Sequence, residues 1–225
     1  MLHTAVAPTI VSLQIGMPSL IAHGSKDVLS GIFKEPTDEA CYAGASGIEG
    51  DGQGDIINHG GPDKAVCAYF ANRYPYWEKQ FGRPFEPGAF GENVTISDWS
   101  EEELNIGDIV QAGDAVLQVS QPRQPCFKLG IRNELPELPM LVQETGYSGF
   151  YFRVLKPGIL QKGQKLTLLE RHPAGMSIME ANEIMYRRKN NEEAIGKLLA
   201  VKELAQSWHE QLGGRLKKLR GSEQP

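Results

Sequence analysis

Between Ile10 and about Leu169, apolar residues come in short runs separated by Gly, Pro, Asn and Asp. Runs of this kind read as strands bounded by turns. They are Ile10–Ile15, Val28–Phe33, Asp55–Asn58, Ala65–Phe70, Glu92–Ile96, Asp108–Gln111, Ala115–Val119, Gly149–Val154 and Lys165–Leu169. Gly113-Asp114 lies between two of them as a hairpin turn. Leu155-Lys156-Pro157-Gly158 reads as a second turn, with Gly158 supplying a permissive φ. One short helix is predicted after Ala71, carrying Tyr74, Trp77 and Phe81, and another over Glu137–Glu144. Many short strands without regular intervening helices argue for a closed or nearly closed β-barrel, which leaves no edge exposed. Spacing alone also admits a sandwich.

The period changes after Pro173. Ser177 and Glu180 form a capping box, and Ile178, Ala181, Ile184 and Met185 then share one helical face. Asn191 can cap a second helix, with Ala194, Ile195, Leu198 and Leu199 as its buried stripe. A third carries Leu204, Trp208, Leu212 and Leu216, and Gly213-Gly214 should weaken or end it. The predicted fold is therefore mainly β: a barrel with a few short helices, followed by a small three-helix C-terminal subdomain. The expected division is an arm and first strand over 1–25, the barrel over 26–172 and the three helices over 173–220.

Charge and composition narrow the function classes. The chain has 225 residues, 23 basic and 28 acidic, for a net charge of −5. This balance disfavours a protein that binds nucleic acid mainly through charge. The basic clusters Arg187-Arg188-Lys189 and Arg215, Lys217, Lys218, Arg220 in the helical tail are better read as solvated helix ends. Thr4 to Ala22 carries no charge, but Pro8, Gln14, Gly16 and Pro18 interrupt it, so no membrane span is expected. Three widely spaced cysteines, Cys41, Cys67 and Cys126, make no disulfide framework, and a reducing cytoplasm is the simplest setting. Apolar helix faces and the N-terminal arm suit a homodimer.

Candidate chemistry gathers at strand ends and turns. Gly60-Gly61-Pro62 can present backbone N–H groups to an anion, and His59 and Lys64 flank it. Glu92 and Asn93 follow Phe90-Gly91 at a strand entrance, where a salt bridge competes with ligand binding. Cys126 lies between Arg123 and Lys128, and Pro122 and Pro125 stiffen the segment. A thiolate needs positive charge nearby, so this cysteine could attack an electrophile or bind a soft metal. A buried apolar cysteine remains the alternative. Cys67, flanked by small and apolar residues, reads as core.

Taken in order, these segments resemble the MOSC domain family and its YiiM-like branch. The resemblance rests on Gly47-Ile48-Glu49-Gly50-Asp51, Asn58–Cys67, Ala89-Phe90-Gly91-Glu92-Asn93, Gly107-Asp108 and Ser120–Leu129, and it continues over Gly146–Gly158. The helical tail is similar to the three-helix domain appended to YiiM-like proteins. The resemblance implies a barrel-like protein that binds molybdenum cofactor or carries sulfur. For this branch it implies molybdenum-dependent reduction of N-hydroxylated compounds such as 6-hydroxylaminopurine. Cys126 would be the thiolate ligand to molybdenum, or a sulfur-carrying nucleophile. Arg123, Lys64, Lys128, Gly60 and Gly61 would take the phosphate of the molybdopterin, and Glu92 and Asn93 the pterin edge. His59 would donate a proton or orient the substrate. Electrons would come from a separate flavin or iron–sulfur reductase. The pyridoxal-phosphate-dependent half of the sulfurases has no counterpart in these 225 residues. A non-catalytic binder or carrier of cofactor or sulfur is the alternative, and a helical interaction module is the third reading.

Overall fold

The computed structural model describes residues 7–56 and 60–221. Its body is an eight-stranded sheet with short helices against it. Along the sheet lie β13 (Leu166–Glu170), β9 (Ile109–Ala112), β10 (Ala115–Pro122), β11 (Phe150–Lys156), β7 (Val66–Phe70), β8 (Val94–Ile96), β1 (Ile10–Ile15) and β4 (Glu35–Thr37). All neighbours are antiparallel except β7 and β8, so the sheet is mixed. The β9–β10 hairpin turns at Gly113, whose φ of 57° suits glycine. Smaller sheets join β12 (Gly158–Leu160), β5 (Cys41–Gly44) and β6 (Gly47–Ile48), and pair β2 (Ser19–His23) with β3 (Lys26–Ser30).

The predicted barrel does not close. β13 and β4 are the edges of the sheet. The start of β1 and the segment before it reach across, through a bridge from Thr9 to Lys165 and a bond from Ile10 N–H to the Gln164 carbonyl at 2.9 Å. β4 has three residues with Pro36 at its centre, and proline has no N–H for a ladder. Other expectations also change. Asp55 and Ile56 are outside any strand, and Ile57 and Asn58 lie outside the described residues. Leu155–Gly158 is no turn, since the chain passes from β11 through Pro157 into β12, which pairs with β5. Gly158 has no positive φ. It is glycine for closeness, because an added Cβ would stand 2.4 Å from the Ala115 nitrogen.

The α-helices among the described residues are α1 (Tyr74–Phe81), α2 (Phe127–Asn133), α3 (Leu138–Thr145), α4 (Ile178–Tyr186), α5 (Glu192–Leu199) and α6 (Gln206–Gly221). The expected caps form: Ser177 Oγ accepts from Glu180 N–H at 3.0 Å, and Asn191 Oδ1 from Ala194 N–H at 2.9 Å. α6 continues through Gly213-Gly214, held by buried Trp208 and Leu212, with Leu216 and Leu219 against the same core. That core is continuous, running from Leu117, Val119 and Phe152 of the sheet to Ile178, Ile184, Ile195 and Trp208 of the helices. A second core joins Tyr69, Tyr74, Trp77, Phe90, Leu129 and Val142. It supports α2, and therefore Cys126, from behind.

Candidate functional site

β10 ends at Pro122, and the chain turns through Arg123 to Cys126, which stands immediately before α2. Arg123, Cys126 and Lys128 line one cleft, together with Lys64 and Asn93. The opposite wall comes from Ser30–Ile32, Lys34 and Asp51–Gly54. Glycine lets these walls approach. An added Cβ on Gly31 would stand 2.1 Å from the Gly52 carbonyl oxygen, and one on Gly54 would stand 2.5 Å from the Leu29 carbonyl. A second, wider groove adjoins the cleft. Lys64, Cys126, Lys128 and Tyr151 belong to both, so the Cys126 thiol stands where the two meet.

The cleft is cationic: Lys34, Lys64, Arg123 and Lys128 face one carboxylate, Asp51. Asp51 is engaged, since its Oδ1 accepts from Lys34 Nζ and from Gly16 N–H at 3.0 Å. Lys128 Nζ donates to the Leu29 carbonyl at 3.3 Å. Arg123 is only 6% exposed, and among the described residues its Nη1 has no hydrogen-bond partner. A buried guanidinium nitrogen without an acceptor is costly unless a ligand supplies one. Burial works to lower the Arg123 pKa, but Cys67, Tyr151, Cys126 and Glu92 around it raise it overall, so it stays charged. Burial pushes the Cys67 thiol up to about 11, with Arg123 opposing. Burial also lowers the Lys64 ammonium against the pull of Asp63 and Asp55.

The structure thus brings together Cys126, Arg123, Lys128, Lys64 and Asn93, while Glu92, Gly60 and Gly61 have other places. Glu92 is fully buried and does not line the cleft. Its carboxylate accepts from Tyr74 Oη, Gly88 N–H at 2.7 Å, Phe90 N–H at 3.1 Å and Thr95 Oγ1 at 3.0 Å, which makes it a scaffold group. Asn93 touches the cleft but also joins strands, accepting from Cys67 N–H at 3.1 Å and donating to the Gln14 carbonyl at 3.3 Å. Gly60 donates its N–H to the Ile56 carbonyl at 3.1 Å, so that amide is not offered to an anion. Gly61 precedes the 3-10 turn Pro62–Lys64 with φ 94°, and neither glycine lines the cleft. His59 lies outside the described residues.

Sequence reasoning missed Lys34, Tyr151 and the lining role of Cys67. Lys34 carries no local signal, sitting between Phe33 and Glu35. The alternating glycines of Gly50-Asp51-Gly52-Gln53-Gly54 were the available hint of a close approach. Among the described residues, no helix is long and apolar enough to cross a membrane.

Comparison with known proteins adds a family context. The MOSC domain matches residues 55–167, and the YiiM-like, 3-alpha helix domain matches residues 176–219. The chain is 45% identical over 200 residues to the YflK protein of Bacillus subtilis, covering 89% of this chain and 90% of that one. It is 37% identical over 168 residues to a reductase of Gibberella moniliformis, covering 72% of this chain and 29% of that protein. The crystal structure of YiiM from Geobacillus stearothermophilus superposes with a TM-score of 0.80 at 40% identity. That match covers 93% of this chain and 99% of the other.

Proposed function

The chain belongs to the MOSC domain family and carries its YiiM-like 3-alpha helix domain, and on that premise we propose a molybdenum-cofactor-dependent reductase of N-hydroxylated compounds such as 6-hydroxylaminopurine. The observation that carries the reading is the buried Arg123, whose Nη1 lacks an acceptor among the described residues, in a cationic cleft with the Cys126 thiol at its mouth. A phosphate seated there would complete Arg123 and meet Lys64 and Lys128. The glycine walls at Gly31 and Gly54 leave room for a ligand close to backbone. Among the described residues no group of three or more His, Cys, Asp or Glu could hold a metal ion. One protein thiolate suits a soft metal whose remaining ligands come with a cofactor.

When bound, the cofactor would supply a metal able to deliver two electrons to an N–OH group. The N–O bond would then break, and two protons would leave an amine and water. The chain's own part is to hold and orient. Arg123, Lys64 and Lys128 bind the anion, and Cys126 offers its thiolate to the metal. The adjoining groove takes the substrate between the amides of Gln121, Gln124 and Gln143 and the rings of Phe127 and Tyr186. His59 is the proposed proton donor. Electrons come from a separate flavin or iron–sulfur protein.

The test is molybdenum and pterin analysis of freshly isolated protein, alongside Cys126→Ser. Molybdenum and pterin should co-purify. The variant should unfold like wild type and lose reduction of 6-hydroxylaminopurine. Wild-type turnover by Cys126→Ser would remove the thiolate-ligand role. A persulfide on Cys126 without any N-reductase activity would favour a carrier of sulfur or cofactor.

A further inference from the structure

We infer that Asp63 is a positioning residue and that the start of α6 braces both segments that carry the cationic cleft. Asp63 lies in the 3-10 turn Pro62–Lys64, next to Lys64. Its Oδ1 accepts from Arg153 Nε of β11 at 2.8 Å. Its Oδ2 accepts from the N–H of Gln206, the first residue of α6, at 3.0 Å. Its carbonyl accepts from Ser120 Oγ on β10. The same helix end reaches the Arg123–Cys126 side. Ala205 N–H donates to the Ser120 carbonyl at 3.0 Å, and Ser207 Oγ donates to Gln121 Oε1 at 3.2 Å. Gln124 Nε2 donates to Gln211 Oε1 at 2.9 Å.

A helix N-terminus needs acceptors for its first N–H groups and favours a carboxylate there. Most helices take that acceptor from the residue beside them. α6 takes it from a residue 143 positions earlier. Capping the helix and placing Lys64 are therefore the same event. Docking alone does not require these bonds, because buried Trp208 and Leu212 already seat α6 on the core. The bonds instead tie the segment carrying Lys64 to the segment carrying Arg123 and Cys126. The three-helix unit is then part of the site's framework. This inference rests on the proposed cofactor site only for what the braced residues hold.

Asp63→Ala removes the side-chain bonds to Arg153 and to Gln206, whereas Asp63→Asn retains an oxygen for the Gln206 N–H and loses the ion pair. Site-resolved alkylation by iodoacetamide reads the placement of Cys126 without any cofactor. Molybdenum content and the split between KM and kcat read it with cofactor. Asp63→Ala should alkylate Cys126 about fivefold faster, as a locally eased opening requires. It should also retain less molybdenum and raise KM while kcat per bound metal holds. Asp63→Asn should fall between alanine and wild type, and it decides alone by the same measures if the alanine variant does not fold. Wild-type alkylation and wild-type metal content would overturn the assignment. So would a parallel acceleration at Cys41, which is buried in the sheet core, because that would mean general loosening. Protein without molybdenum would sink the cofactor reading and leave the alkylation result to judge the brace.

Discussion

Arg123 and Glu92 are both charged and both hidden from water, yet their surroundings are opposites. Glu92 is fully buried and accepts four hydrogen bonds, from two backbone amides and two hydroxyls. Arg123 is 6% exposed and leaves Nη1 without an acceptor among the described residues. The carboxylate's needs are met by the chain itself, so it shapes the loop Gly88–Phe90 and anchors α1 through Tyr74. The guanidinium's needs are met only in part, inside a cleft with three lysines. Burial of a charge therefore does not by itself mark a binding site. What marks one is the bond left unmade.

The comparison can be broken at either residue. Glu92→Ala strands four donors in the interior and should cost about 3–4 kcal/mol in denaturant unfolding. A loss below about 1 kcal/mol would mean that the donors find other partners. The dryness of the cleft floor is read next, from Cys67. Its thiol lies at about 11 instead of 9.0, because burial raises it more than Arg123 lowers it. The native state thus holds this proton more tightly than the unfolded chain. That stabilisation is complete below pH 9 and fades as pH rises toward about 11, by roughly 2–3 kcal/mol. Cys67→Ala should lose this part of the pH dependence, and an unchanged slope would mean that the thiol is hydrated.

Inorganic phosphate is a smaller probe of the unmade bond. At ten times its Kd it should stabilise the cofactor-free protein by about 1.4 kcal/mol, read as a rise in Tm. Arg123→Met should abolish that rise. Equal stabilisation of both proteins would place the anion elsewhere. Without phosphate, Arg123→Met should change stability by no more than about 1 kcal/mol, since removing an incompletely paired buried charge also removes its desolvation cost. A large loss would make Arg123 a scaffold residue like Glu92.

Local chemistry made part of this protein readable. Ser177 and Asn191 cap their helices because a cap needs only an amide three residues away. Gly113 makes its hairpin for a similarly local reason. Arg123, Cys126 and Lys128 were legible together because six consecutive residues carry them, from the end of a strand into the first turn of a helix. α2 was not read as a helix. It has seven residues, includes Gly130, and starts at Cys126 without a side-chain cap. It forms because Leu129 packs in the second core, which no local pattern announces.

The amino-acid order by itself determined most strands of the large sheet, the capped helices of the tail, and a thiol with cations close by in the chain. Tertiary structure alone decided that the sheet stays open, that Glu92 serves the scaffold, and that Lys34 enters the cleft. Capping and turning are settled among near neighbours. The cleft is settled by contacts such as Lys34 with Asp51 and Lys128 with the Leu29 carbonyl, 17 and 99 residues apart. Whether such distant groups meet depends on strand order and register, which arise only when the whole chain packs.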